Sequence, residues 1–322
     1  MMFFNTPARK IVSSFVLFFL FLSGIWFFYG LRPVSGISRT KIFEIRQGEG
    51  FSEIAKRLRD DGLIRSTAVF ELYALSTGSA SKLMPGIYDI SGASSTPELV
   101  ALLKEANREV KVVIPDGASV YDIDKLLSEK KILPGGALKE FAKVHPIEGT
   151  LYPDTYEFFR YSNVDDVVAI FLKNFQSKAV PTLNKDPKHF NNNLILASLV
   201  QKEVPDFKDA RIVAGILKKR LSAGMALGVD ATICYLKKEI QNEVDCYPLK
   251  PGDFKIDSPY NTYLYAGLPA GPIGSPEISA IQAVLNPLPS PYWFYLSDPK
   301  TGKTIFSETL EEHSANRARY LH

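Results

Sequence analysis

The chain has 322 residues, of which 46% are hydrophobic and 23% charged, and its net charge is +3. That composition is globular, and the length leaves room for two or three domains once a terminal segment is set aside. So small a charge, with no clustered basic run in the soluble part, argues against nucleic acid as a partner.

The N-terminus carries the first pattern. After Arg9 and Lys10, residues 11–31 run for 21 positions without a charge. At about 1.5 Å per residue a helix of that length covers roughly 30 Å, the thickness of a bilayer core. Trp26 and Tyr29 lie near its far end, where amphipathic rings favour the membrane interface. A cleaved signal peptide is the alternative, but its apolar region is normally about 7–15 residues, and no A-x-A site follows. The segment is expected to be an uncleaved single span. Arg9 and Lys10 place residues 1–10 in the cytoplasm and the body outside it; Arg32, Arg39 and Lys41 blunt that asymmetry.

Residues 32–40 read as a linker. Two related stretches follow, IRQGEGFSEIAKRL at 45–58 and IPDGASVYDIDKLL at 114–127. They superpose at an offset of 69, with Ile45 on Ile114, Gly48 on Gly117, Ile54 on Ile123 and Leu58 on Leu127. Each predicts a strand, a glycine turn and an amphipathic helix. Between them a short strand at 86–90 precedes a helix opened by Thr96-Pro97-Glu98. This strand–helix–helix–strand order resembles a LysM module, a small fold that binds glycans containing N-acetylglucosamine. The alternative is a packing unit with no glycan affinity of its own.

From residue 145 the character changes. The segment IEGTLYPDTYEFF at 147–159 is aromatic and turn-rich, and amphipathic helices are expected over 164–175, 194–204 and 209–221. A Pro-, Gly- and Tyr-rich region covers 247–276. A hairpin over 292–297 and 304–307 and a closing helix end the chain. Cys234 and Cys246, twelve positions apart, could pair in an oxidising compartment or stay free. No P-loop, dinucleotide fingerprint, nucleophile elbow or zinc motif is present, so no metal or cofactor is expected.

Cleaving a glycosidic bond requires a carboxylic acid that holds its proton near neutrality, and burial beside apolar groups supplies that. Glu203 fits. It ends a nearly all-apolar helix, which must be buried, at a terminus whose dipole disfavours negative charge. The bland alternative is an exposed glutamate paired with Lys202. Asp230, in GVDAT, is expected in a turn. No second carboxylate, Glu148 included, is placed opposite Glu203 by spacing alone. The stretch 258–276 (SPYNTYLYAGLPAGPIGSP) suits either a sugar groove or a rigid surface loop.

Together, IEGTLYPDTY at 147–156, LASLVQKEV at 196–204, IVAGILKKRLSAGMALGVDATICY at 212–235, the 258–276 stretch and HSANR at 313–317 resemble the MltG (YceG-like) family of endolytic murein transglycosylases. The resemblance covers nearly everything after the anchor. It implies that Glu203 is a lone acid/base, protonating the leaving oxygen and then accepting the proton of the muramic acid 6-hydroxyl. The products would carry 1,6-anhydro ends. It further implies that Tyr260, Asn261 and Thr262 lie along the glycan groove, that Asp230 and Thr232 shape the site, and that Glu148 contacts substrate. Departures are Gln201 for the first acid of an E-K-E-like element, Ala226 and Gly228 in the M-P-L-Q-x-D segment, and Ala270 in G-L-P-P-G.

The expectation is an α+β protein, with a transmembrane helix over 11–31, a LysM-like α/β region over 41–144 and a mixed catalytic domain over 145–322. It would sit in the cytoplasmic membrane, terminate glycan elongation, and act on peptidoglycan strands with peptidoglycan synthases as candidate partners. Two rivals stand: a non-catalytic glycan-binding or division scaffold, and a hydrolase with a second carboxylate about 5–9.5 Å from the first.

Overall fold

The computed structural model describes residues 7–35, 40–46, 48–104, 109–241 and 246–321, with side chains in the first helix described from residue 14. The chain forms two compact units, Met1–Glu109 and Val110–His322.

In the first unit, α1 (Pro7–Gly30) presents Phe15, Phe18, Phe21 and Ile25 to its surroundings. Its C-terminal end packs at Val69, where a Cβ on Gly30 would meet the valine at 2.6 Å. The Arg65 guanidinium lies 4.8 Å over the Tyr29 ring, and its Nε donates to the Pro33 carbonyl at 2.9 Å. Among the described residues no helix is long and apolar enough to cross a membrane. The span expected over 11–31 includes positions 11–13, whose side chains lie outside the described set.

The rest of this unit is a strand–helix–helix–strand layer. β1 (Thr40–Ile45) pairs antiparallel with β2 (Gly86–Ser91), Thr40 opposite Ser91 and Ile45 opposite Gly86. Across the connection, α2 (Phe51–Asp60) and α3 (Thr67–Ser76) cover one face of the pair, because alternate strand residues and one stripe of each helix are apolar. Phe43, Ile45, Ile54, Leu58, Phe70, Tyr88 and Ile90 meet in its core, which α4 (Thr96–Lys104) closes with Leu99 and Leu103.

The second unit begins with the same arrangement, displaced by the offset read in the sequence. β3 (Val110–Val113), α5 (Val120–Glu129), α6 (Ala137–Val144) and β4 (Thr155–Phe158) follow one another, and β3 pairs antiparallel with β4. Gly48 and Gly117 hold matching left-handed turns, at φ 80° and 72°. The second compact unit starts at Val110, and the strand that completes the second copy is supplied by 155–158.

The helical body follows. α7 (Val164–Lys178) and α8 (Val180–Leu183) lead to α9 (Phe190–Glu203), whose Leu194, Leu196, Ala197, Leu199 and Val200 are buried on several sides. Against it pack α10 (Phe207–Ser222) and α12 (Ile278–Leu285) through Val213, Leu217, Ile281 and Val284. α11 (Asp230–Leu236) crosses near the C-terminus of α9. β5 (Phe294–Ser297) and β6 (Thr304–Ser307) form the expected hairpin, and α13 (Leu310–Tyr320) ends the chain. Cys234 and Cys246 form a disulfide, which settles the pairing left open by their spacing.

Candidate active site

Glu203 is the last residue of α9; Val204 leaves the helix in extended backbone, and Pro205 cannot continue it. The Glu203 side chain is half-buried at the helix terminus, where the dipole disfavours negative charge. Desolvation dominates and pushes its pKa up to about 7. The neighbouring Asp230 carboxylate pushes the same way. A hydroxyl hydrogen bond from Tyr295, the positive charge of Arg220 and the Ala231 N–H act against it. The result is an acid that exchanges its proton near neutral pH. Lys202, the partner in the bland reading, has Asp122, Lys238 and Glu148 as its electrostatic neighbours instead.

Each neighbour is held by a distinct element. Asp230 is the first residue of α11 rather than part of a turn, and its carboxylate accepts the Tyr263 hydroxyl. That placement follows from chemistry, since a helix N-terminus favours an acid. Arg220 projects from α10 on its buried side, and its Nε donates to the Trp293 carbonyl at 2.9 Å. Nη1 of the same guanidinium donates to the Leu227 carbonyl, so α10 is stitched to both flanks of the site. Tyr295 comes from β5; burial, with Glu203 beside it, holds its phenol well above the usual range. Tyr247, next to the disulfide at Cys246, is largely exposed and has Asp230 and Glu203 among its electrostatic neighbours.

The residues singled out in the sequence divide into three groups. Glu203 and Asp230 are neighbours. Asn261, Thr262 and Thr232 are buried and spend their side chains inside the protein. The Asn261 amide donates to the carbonyls of Phe254 at 3.0 Å and Ile256 at 2.8 Å, which shapes the loop. Thr262 Oγ1 accepts the Val229 N–H at 3.0 Å and lies 3.0 Å from Thr232 Oγ1, so the two threonines lock the start of α11 to the 258–263 loop.

Glu148 and Tyr260 form the third group, at a cavity of about 730 Å³ that Glu203 does not line. The Val120 N–H donates to Glu148 at 3.1 Å and the Tyr235 hydroxyl at 3.3 Å. Rings of Tyr235 and Tyr260 stand 5.1 Å apart.

Sequence reasoning missed Tyr295, Tyr263, Tyr247, Tyr235 and Arg220. One of them was legible. The buried stripe of α10 runs through Ala210, Val213, Ala214 and Leu217, and the next position on it is Arg220. A cation on a core stripe must be compensated, so it marks either a site or a buried polar network.

The loop 271–276 braces the helix end that carries Glu203. The Gly117 N–H donates to the Ser275 carbonyl at 2.8 Å, and the Ser275 N–H returns to Ala118 at 2.9 Å. A Cβ on Gly274 would stand 2.2 Å from the Gly117 carbonyl oxygen, which requires glycine there. On its other side Gly117 packs against Gln201 and Lys202. The second strand–helix copy thus buttresses the last turn of α9.

Comparison with known proteins agrees with this architecture. The YceG-like family profile matches residues 43–319. An endolytic murein transglycosylase of Bacillus subtilis (strain 168) is 28% identical over 330 residues, covering 92% of this chain and 90% of that protein. One from Streptococcus pneumoniae serotype 2 is 24% identical over 362 residues, covering 98% of this chain and 66% of its own length. The crystal structure of a yceG-like protein from Listeria monocytogenes superposes with a TM-score of 0.54 at 27% identity, covering 87% of this chain and all of the other. The chain belongs to the YceG-like family.

Proposed function

We propose that this chain, a lytic transglycosylase by family and relatives, cuts peptidoglycan strands internally between N-acetylmuramic acid and N-acetylglucosamine, with Glu203 as its single acid/base. The observation that carries the reading is the desolvated Glu203 carboxyl, poised to hold its proton up to about pH 7. In the first step that proton passes to the glycosidic oxygen as its bond to C1 breaks. Glu203, now a carboxylate stabilised by the Tyr295 hydroxyl and the Ala231 N–H, accepts the proton of the muramic acid 6-hydroxyl. That oxygen closes on C1, giving a 1,6-anhydro end and restoring the acid. No water is consumed.

A second reading is favoured by one observation, the Asp230 carboxylate beside Glu203, which in a hydrolase would activate water. The Tyr263 hydroxyl already occupies an oxygen of Asp230, which favours a positioning and electrostatic role. Purified peptidoglycan decides between them. Wild-type protein should release anhydro-ended fragments by mass spectrometry and Glu203→Gln none. Reducing ends would mean hydrolysis, and full activity of Glu203→Gln would remove Glu203 from the chemistry.

The finer setting belongs to the same proposal. The uncharged run at 11–31 and the exposed aromatic flank of α1 support a single membrane anchor, with the body on the outer face of the cytoplasmic membrane. The strand–helix–helix–strand order of the first unit supports a LysM-like glycan contact. Termination of nascent strands beside peptidoglycan synthases fits that placement.

A further inference from the structure

The HSANR segment at 313–317 takes no part in the chemistry above. It lies in α13, which packs on the hairpin of β5 and β6. The Asn316 amide donates to Ser307 Oγ at 3.0 Å, and the Ser307 carbonyl accepts the Trp293 N–H at 3.0 Å. His313, three positions earlier, shares that helix face. Its ring stacks on Phe294, with centroids 5.2 Å apart and planes 21° from parallel. The imidazole Nδ1 is buried and has no hydrogen-bond partner among the described residues, so the ring serves here by contact. Burial, with the charges of Arg317 and Arg220, pushes its pKa down, and at neutral pH it carries no charge.

Phe294 is also where Arg220 rests. The guanidinium carbon lies 5.2 Å from the Phe294 centroid, while Nε and Nη1 are held by the Trp293 and Leu227 carbonyls. A cation is drawn to the face of an aromatic ring, and the ring guides it only if its own tilt is fixed. Phe294 is half-buried, so core packing does not enclose it, and His313 lies against it. The next residue, Tyr295, hydrogen-bonds to Glu203. Consecutive positions 293, 294 and 295 therefore hold Arg220 twice and the acid once.

We infer that His313 is a positioning residue: through Phe294 it holds Arg220 and Tyr295 where both favour the Glu203 carboxylate. The inference rests on Glu203 as the acid/base. The other groups facing Glu203 are carried elsewhere: Asp230 by α11, Tyr247 by the segment after the disulfide, and Tyr263 by the loop that bonds Asp230. Without the stacked ring, Arg220 and Tyr295 lose their fixed geometry, and Glu203 becomes a weaker acid toward the leaving oxygen.

The test uses the full-length chain with its glutamate side-chain carboxyls isotopically labelled, so that NMR follows the ionisation of Glu203 without turnover. The signal absent from Glu203→Gln identifies it. His313→Ala should move the Glu203 midpoint up by about half a pH unit or more, and the alkaline limb of the pH–rate profile with it. Loosening that merely lets water reach the carboxyl would move the midpoint down, by relieving desolvation. His313→Phe keeps a flat ring and should restore the wild-type midpoint; His313→Asn keeps a polar group without a ring and should not. Phe294→Leu removes the stack from the other side, should shift the midpoint in the same direction, and carries the test if near-UV circular dichroism shows His313→Ala unfolded. A midpoint that stays or falls in these ring-removing variants, or rescue by Asn and not by Phe, overturns the inference. Failure of the catalytic reading would show differently, as cleavage that survives Glu203→Gln while the Glu203 midpoint still responds to His313.

Discussion

Replacing Glu203 by glutamine should make the protein more stable, and only on the alkaline side. Burial raises the Glu203 pKa from an ordinary 4.5 to about 7, so between those values the folded chain holds a proton that the unfolded chain has released. Wild-type stability therefore falls as pH rises through that window, and above it the folded state carries the full cost of a desolvated carboxylate. The rise corresponds to roughly 3 kcal/mol at most, reduced by whatever solvent reaches the carboxyl. Glutamine keeps the shape and hydrogen-bonding capacity without the charge. Urea unfolding followed by Trp293 fluorescence, with Trp26→Phe in both proteins, would report on the second unit. The two curves should nearly coincide at pH 4 and separate by about 2–3 kcal/mol at pH 8.5. Glu148, the other strongly raised acid, is present in both chains and cancels in the difference. A gap of the same size at both pH values, or a variant no more stable at pH 8.5, would refute the claim that Glu203 is an acid held neutral by its surroundings.

Further outcomes follow from the same geometry. Tyr295→Phe removes a donor that favours the Glu203 carboxylate, so the alkaline limb of the pH–rate profile should move up by about one pH unit. Asp230→Asn removes a repelling charge and should move that limb down; equal movement in both variants would contradict the assigned electrostatics. Reducing the Cys234–Cys246 bridge, or replacing both cysteines by serine, should cost about 3 kcal/mol, measured as a lower denaturation midpoint, and should depress activity by freeing the segment that presents Tyr247. Gly274→Ala should destabilise by about 1–3 kcal/mol, read by thermal unfolding, because its Cβ meets the Gly117 carbonyl oxygen.

The sequence made some of this visible because local chemistry decided it. The two strand–helix copies could be aligned because a turn glycine and an apolar stripe recur together at one spacing. For Glu203 the apolar helix supplies a physical reason to hold a proton, but an exposed glutamate at a helix end fits the same pattern, and the resemblance carried by LASLVQKEV gives it its role. The pairing of β3 with β4 was hidden because strand pairing is not local. Nothing in TYEF at 155–158 announces that its partner lies at 110–113. Asn261 and Thr262 are expected along a groove and Thr232 beside the site, but residue type does not distinguish a hydroxyl that meets a ligand from one that locks two loops. Tyr295 and Glu203 lie 92 positions apart, and only the fold brings them together. Asp230 was misplaced in a turn because its helix has seven residues, too few to show a period.

The paired glycines at 48 and 117 show how far two copies of one motif have come to differ in what they tolerate. Both need a left-handed backbone, so Asn is the least costly replacement at either. Around Gly48 a new side chain meets nothing within 4 Å, whereas at Gly117 it would press on Gln201 and Lys202 at 3.1–3.2 Å. The first copy can therefore drift, be redesigned or be exchanged for a homologous module with little consequence at that turn. The second cannot, since any change there is felt by the helix that carries Glu203. For protein engineering the two halves of the repeat are not interchangeable parts: grafts belong in the first, and the second should be moved only together with residues 271–276.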